Sequence, residues 1–175
     1  MKNKTIAFGF VLALAGVFLT STIMAQAQAS PAATAKGTVK GANITINYSA
    51  PSVKGRKIWG DLVPYDKVWR AGANEATIFE TDRDIKIEGK KLAKGKYSLY
   101  AIPGVKEWTI IFNSATGQWG INRDGTTTQD PAKDVLRVKV HAKKSSGFQE
   151  KLVYTISAKG FDLIWENVDV PVFID

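Results

Sequence analysis

From residue 42 to the end of the chain, apolar and polar positions alternate with a period of two. Ile44, Ile46 and Tyr48 fall on one side, and Asn43, Thr45 and Asn47 on the other. Side chains alternate across a strand, so this pattern predicts a half-buried β-strand. The pattern returns at Leu136, Val138 and Val140, at Leu152, Tyr154 and Ile156, and at Val168, Val170, Val172 and Ile174. Further strands are predicted over 76–81, 85–88, 97–102 and 108–113, separated by the turn formers Asp82-Arg83-Asp84, Glu88-Gly89-Lys90 and Pro103-Gly104. The run Trp-Thr-Ile-Ile-Phe at 108–112 is apolar on both faces, which places it inside a sheet. Pro171 cannot donate to a ladder and assigns the last strand to an edge or a bulge. No amphipathic helix longer than about ten residues is legible. The expected fold is all-β: an antiparallel β-sandwich, or flattened barrel, of about 8–10 strands.

One stretch breaks the alternation. Residues 51–74 run for 24 positions without it, longer than a plain connection in a compact domain. Gly55, Gly60, Pro64 and Gly72 fix turns, while Ile58, Trp59, Leu62, Val63, Val68 and Trp69 supply apolar anchors. The expectation is one long ordered loop, packed as a lid over one end or face of the sheets, with Trp59 and Trp69 at least partly buried.

The N-terminus follows a different pattern again. Lys2 and Lys4 precede an unbroken apolar or glycine run over 6–19, and Ala-Gln-Ala-Gln-Ala at 25–29 places small residues at alternate positions. This is the pattern of a secretory signal peptide. The polar Thr20, Ser21 and Thr22 end the apolar run before it reaches the length of a membrane span. The expected organisation is a signal peptide over 1–27, a flexible leader with a possible first strand over 28–41, and a single domain over 42–175. Cleavage after Ala27 or Ala29 removes two lysines and takes the formal charge from +8 to +6. The expected address is the periplasm or beyond in a Gram-negative bacterium, reached by Sec-type export, with no membrane span in the mature protein.

Composition narrows the chemistry. There is no cysteine, which excludes disulfide scaffolds, thiolate metal sites and cysteine nucleophiles. A single histidine, His141, leaves no two-histidine metal site and little room for a serine–histidine hydrolase. It shares a polar strand face with Arg137 and Lys139, as an exposed or rim residue. The lysines at 86, 90, 91, 94 and 96, and at 139, 143 and 144, read as solvated faces rather than a nucleic-acid patch, which interleaves charge with exposed aromatics. The oxygen-rich stretch 122–130 lacks the spacing of a calcium loop and reads as a hairpin loop. No metal or cofactor is expected.

The remaining candidates lie on or beside the long loop: Arg56, Trp59, Trp69, Arg70, Asn74 and Glu75. Arginine forks bind carboxylates and sugar oxygens, and tryptophan faces stack on sugar rings, so the group is suited to a small polar or glycan-type ligand. A structural reading stands beside it, in which Arg70 pairs with Glu75 or Asp61 to pin the loop over core tryptophans. Asp61, Asp66 and Glu75 also admit a carboxylate-dependent glycan hydrolase or lyase, which requires two of them across one cleft. A third alternative is a structural envelope protein without a small ligand. Oligomeric state is not legible.

Several motifs carry a resemblance. Pro-Ser-Val-Lys-Gly-Arg at 51–56, Leu-Val-Pro-Tyr at 62–65, Val-Trp-Arg at 68–70 and Gly-Ala-Asn-Glu-Ala-Thr at 72–77 are followed by Gly-Lys-Tyr-Ser-Leu-Tyr-Ala-Ile-Pro-Gly at 95–104. Together with Trp-Thr-Ile-Ile-Phe-Asn at 108–113 and Asp-Val-Leu-Arg-Val-Lys-Val at 134–140, they resemble the domain of unknown function 2911 family. The resemblance implies an exported bacterial protein of Bacteroidetes type and carries no activity with it. Three positions depart from the family pattern: Ala50 stands in place of arginine, Asp66 in place of glycine and Ala71 in place of threonine. The first two changes weaken the case for a strongly anion-seeking site on the loop.

Overall fold

The computed structural model describes residues 30–175, and the segment read as a signal peptide lies outside them. The fold is all-β and antiparallel. Ten strands follow in order: β1 (Ala32–Val39), β2 (Ala42–Ser49), β3 (Thr77–Thr81), β4 (Ile85–Ile87), β5 (Lys90–Leu92), β6 (Gly95–Ile102), β7 (Glu107–Asn113), β8 (Asp134–His141), β9 (Lys143–Ser157) and β10 (Gly160–Phe173). The one helical element among the described residues is a single 3₁₀ turn at Pro131–Lys133, capped by Asp130. No helix there is long and apolar enough to cross a membrane.

Six strands form the first sheet in the order β1-β2-β3-β6-β7-β8, and β9 pairs with β10 across from it. Strand β7 lies between β6 and β8, and Ile110, Ile111 and Phe112 are all buried, as an interior strand apolar on both faces requires. Within the segment 28–41, read as a flexible leader with a possible first strand, Ala32–Val39 form β1. There Thr34 Oγ1 donates to Asn47 Oδ1 of β2 at 2.8 Å. Its alternation is hard to read because alanines fill the inward positions, and an edge strand with one covered face needs no large side chains there.

The second layer is folded more tightly than its strand lengths imply. Fully extended, the 14 residues of β10 would reach about 46 Å. Yet the Ile174 amide donates to the Lys159 carbonyl at 2.9 Å, so β10 doubles back on itself. The reversal falls where its register with β9 shifts, between Ile164 and Val168, and where Glu166 has a φ of 56°. Pairing with β9 ends at Asp169, and Pro171 lies beyond it. The doubled hairpin sends Phe161, Leu163, Trp165, Val170 and Val172 into one core with Ile44, Phe79, Leu99, Trp108 and Phe112 of the first sheet. A smaller cluster of Ala76, Tyr100 and Ile111 packs on the opposite face, with Val68 and Ile102 at its margin.

Candidate functional site

Segment 51–74 is an ordered strap sewn to the six-stranded sheet and to the β9–β10 pair. At its start, Val53 N–H donates to Glu150 O at 2.8 Å and Leu152 N–H to Pro51 O at 2.9 Å, which ties it to β9. Further along, Trp69 and Ala101 exchange backbone hydrogen bonds of 2.7 and 2.9 Å, and Asp66 N–H reaches Pro103 O at 2.8 Å. These bonds use the edge of β6 beyond Leu99, which β3 leaves free because it begins only at Thr77. At its close, the Ala71 carbonyl accepts from Thr77 Oγ1 and Tyr154 Oη, at 3.0 and 2.8 Å.

Its turns demand left-handed backbone. Lys54, Gly55, Gly60, Asp66, Ala71 and Asn74 all have positive φ. Asp66, at φ 60°, stands where the resemblance expects glycine, the residue that occupies this region without strain.

Trp59 and Trp69 reach inward, as their apolar surroundings require, and meet Trp108 and Trp165. Trp59 makes edge-on contacts to the other three with ring centroids 4.9–5.8 Å apart, while Trp69 and Trp165 stack at 6.0 Å and 15°. Trp165 is 1% exposed and is the floor of this group. Four of the five tryptophans therefore form one cluster under the strap, and Trp119 lies outside it, half exposed.

A cavity of about 190 Å³ opens beside the cluster, walled by Arg56, Trp69, Arg70 and Trp165, with Leu62 and Val63 of the strap. Arg56 is partly committed: its Nε and one terminal nitrogen donate to Val53 O and Ser52 O, at 3.1 and 2.5 Å. Arg70 is not. The expected pairing with Glu75 or Asp61 does not form, and among the described residues Arg70 makes no ion pair. Its Nε is buried without an acceptor, and its stem lies against Gly120, where a Cβ would strike the Arg70 Cδ. Burial pulls the guanidinium below its ordinary pKa range, because desolvation penalises the charged form, yet it stays charged at neutral pH. Residues 118–120 run beside the strap, with Gly120 N–H on Asn74 O at 3.0 Å and Gly120 packed against the Arg70 stem.

The other candidates serve elsewhere. Trp59 faces a separate cleft. Asn74 holds the strap's end, its amide donating to Ser49 Oγ and Ser30 O at 3.1 and 3.0 Å. Glu75 is exposed, bridges to Trp119 through its backbone and borders a groove beside β1 and β2. Asp61 and Asp66 are exposed, and none of these three carboxylates lines the Arg70 cavity. The 122–130 stretch is a hairpin loop in which Asp124 Oδ1 accepts from Thr126 N–H at 3.0 Å. Among the described residues no three His, Asp or Glu side chains gather as a metal site.

A family model described as protein of unknown function (DUF2911) matches residues 30–174, nearly the whole of the described chain. No curated protein and no solved structure matches it.

Proposed function

We propose that this chain, which belongs to the DUF2911 family, is an exported envelope protein that binds a small polar or glycan-type ligand without catalysis. The observation that carries this reading is Arg70. A guanidinium with a buried, unsatisfied Nε and no carboxylate partner borders a cavity that Trp69 and Trp165 help to line. Leaving such a donor unmatched costs free energy, and a ligand oxygen relieves that cost while its ring stacks on the indoles. The hydrolase alternative needs two carboxylates across one cleft, and this cavity has none. The N-terminal signal pattern supports the envelope address, and the intact mass of the exported protein tests it: retention of Met1 rejects it.

Thermal-shift screening of the processed protein against neutral sugars tests binding at this cavity, since ligands of the folded state raise the melting temperature. Arg70→Ala should abolish those shifts. It should lower stability by only about 1 kcal/mol or less, because no buried carboxylate is left unpaired. Absence of any ligand-induced shift in the parent protein, or shifts that persist in Arg70→Ala, rejects the reading.

A further inference from the structure

On the other flank of the tryptophan cluster lies a second cleft, of about 210 Å³, bordered by Trp59, Tyr65, Trp108, Lys143, Lys144 and Asn167. Trp59 lines this cleft and not the Arg70 cavity, and it packs edge-on against Trp69 and Trp165, which line the latter. Lys143, Lys144, Asn167 and Tyr65 border this cleft, and no carboxylate does. Lys143 is balanced by Asp169 at 3.2 Å. Lys144, Asn167 and Tyr65 make no side-chain hydrogen bond or ion pair among the described residues, so the site keeps a net positive charge and spare donors. A further donor is buried in its wall: Trp59 is 8% exposed and its Nε1–H has no acceptor. Packed strands hold these groups in place, with Lys144 paired to Val168 across β9 and β10 and Trp108 paired to Val140 in the first sheet. The Tyr65 ring lies over Gly60, so close that a Cβ there would meet its Cε2 at 2.8 Å, which sets the ring as a fixed face at the rim.

We propose that this cleft is a second binding site, separate from the Arg70 cavity, and that it takes the carboxylate of an acidic sugar. Lys144 and Asn167 receive the carboxylate, and Tyr65 offers a ring face to the sugar, which is the division of labour that charge-assisted hydrogen bonds and aromatic stacking favour. The proposal does not depend on the Arg70 cavity being occupied.

Glucuronate, glucose and inorganic phosphate, each titrated into ¹⁵N-labelled protein, separate the parts of this claim. Glucuronate should move the amide signals of Lys144 and Asn167 and the indole signal of Trp59 saturably, with an affinity that falls as salt rises. Glucose should bind at least about tenfold more weakly, and so should phosphate, which lacks the ring. Lys144→Glu, a surface substitution, should weaken glucuronate at least about tenfold, as should Asn167→Ala, whereas Arg70→Gln should leave it unchanged. Shifts that survive both cleft variants, equal saturation by phosphate or glucose, or no saturable shift at all overturns the proposal. The same spectra report the Arg70 cavity through Trp69 and Trp165, so failure of one site is distinguishable from failure of the other.

Discussion

At the scale of single residues, Gly120 has no room for a methyl group. A Cβ there would fall inside van der Waals contact of the Arg70 stem and lie 3.0 Å from the Asn74 carbonyl oxygen. Gly120→Ala is expected to destabilise the protein by about 1–3 kcal/mol in chemical denaturation, the usual range for overpacking, and to weaken any ligand that depends on Arg70. Asp162 is the residue whose effect should depend on pH. Burial raises its carboxyl pKa, and the neighbouring Asp169 raises it further. A raised acid pKa means that the folded state holds the proton more tightly than the unfolded chain does. Its contribution is therefore complete below the ordinary aspartate range and is lost as pH rises through the folded pKa. Asp162→Asn should melt at a higher temperature than the parent near neutral pH, with the gap closing in acid, as thermal scans across pH will read out. Arg70 itself was legible as a candidate because arginine beside tryptophan is a recognisable pairing. Its lack of a partner was not, since that depends on how the folded strap turns Asp61 and Glu75 to the surface.

At the scale of elements, alternation identified the strands whose two faces see different surroundings, such as β2 and β8. It failed where that contrast is weak. β1 presents alanines inward, and the first part of β9, Lys-Lys-Ser-Ser-Gly, has no apolar side to count. The doubling of β10 was likewise invisible, because Glu166 is an unusual residue for a left-handed turn position. Gly160 marks where the two limbs of β10 meet. It has a φ of 148°, and a Cβ there would collide with the Val172 carbonyl oxygen, with the Phe173 Cα at 3.0 Å. Gly160→Ala should cost about 3 kcal/mol or more, since neither neighbour is a side chain able to swing away. A denaturation midpoint unchanged from the parent would mean that the limbs are not packed as described.

For the whole molecule, the strap is the piece that joins the two sheets at one end, and Trp165 is the floor on which it sits. Trp165→Ala should lower stability by about 3–5 kcal/mol, as large-to-small changes in a packed aromatic core do. It should also loosen Trp59 and Trp69, visible as a red shift of tryptophan emission under native conditions. Both consequences follow from one cluster holding residues of the strap, of β7 and of β10.

The sequence by itself determined the all-β class, the extent of the ordered strap and the burial of Trp59 and Trp69. These are local properties: period-two alternation, turn formers and apolar anchors act over a few neighbouring residues. Tertiary structure alone decided which candidates share a cavity. It placed Arg56, Trp69 and Arg70 together, turned Trp59 toward a second cleft with Lys144 and Asn167, set Asn74 to closing the strap, and left Glu75 on the surface. Those outcomes rest on contacts between residues 70 and 120, 69 and 165, and 53 and 150. Spacing along the chain carries no trace of such contacts, because they arise only when two separately formed sheets bury their apolar faces against each other.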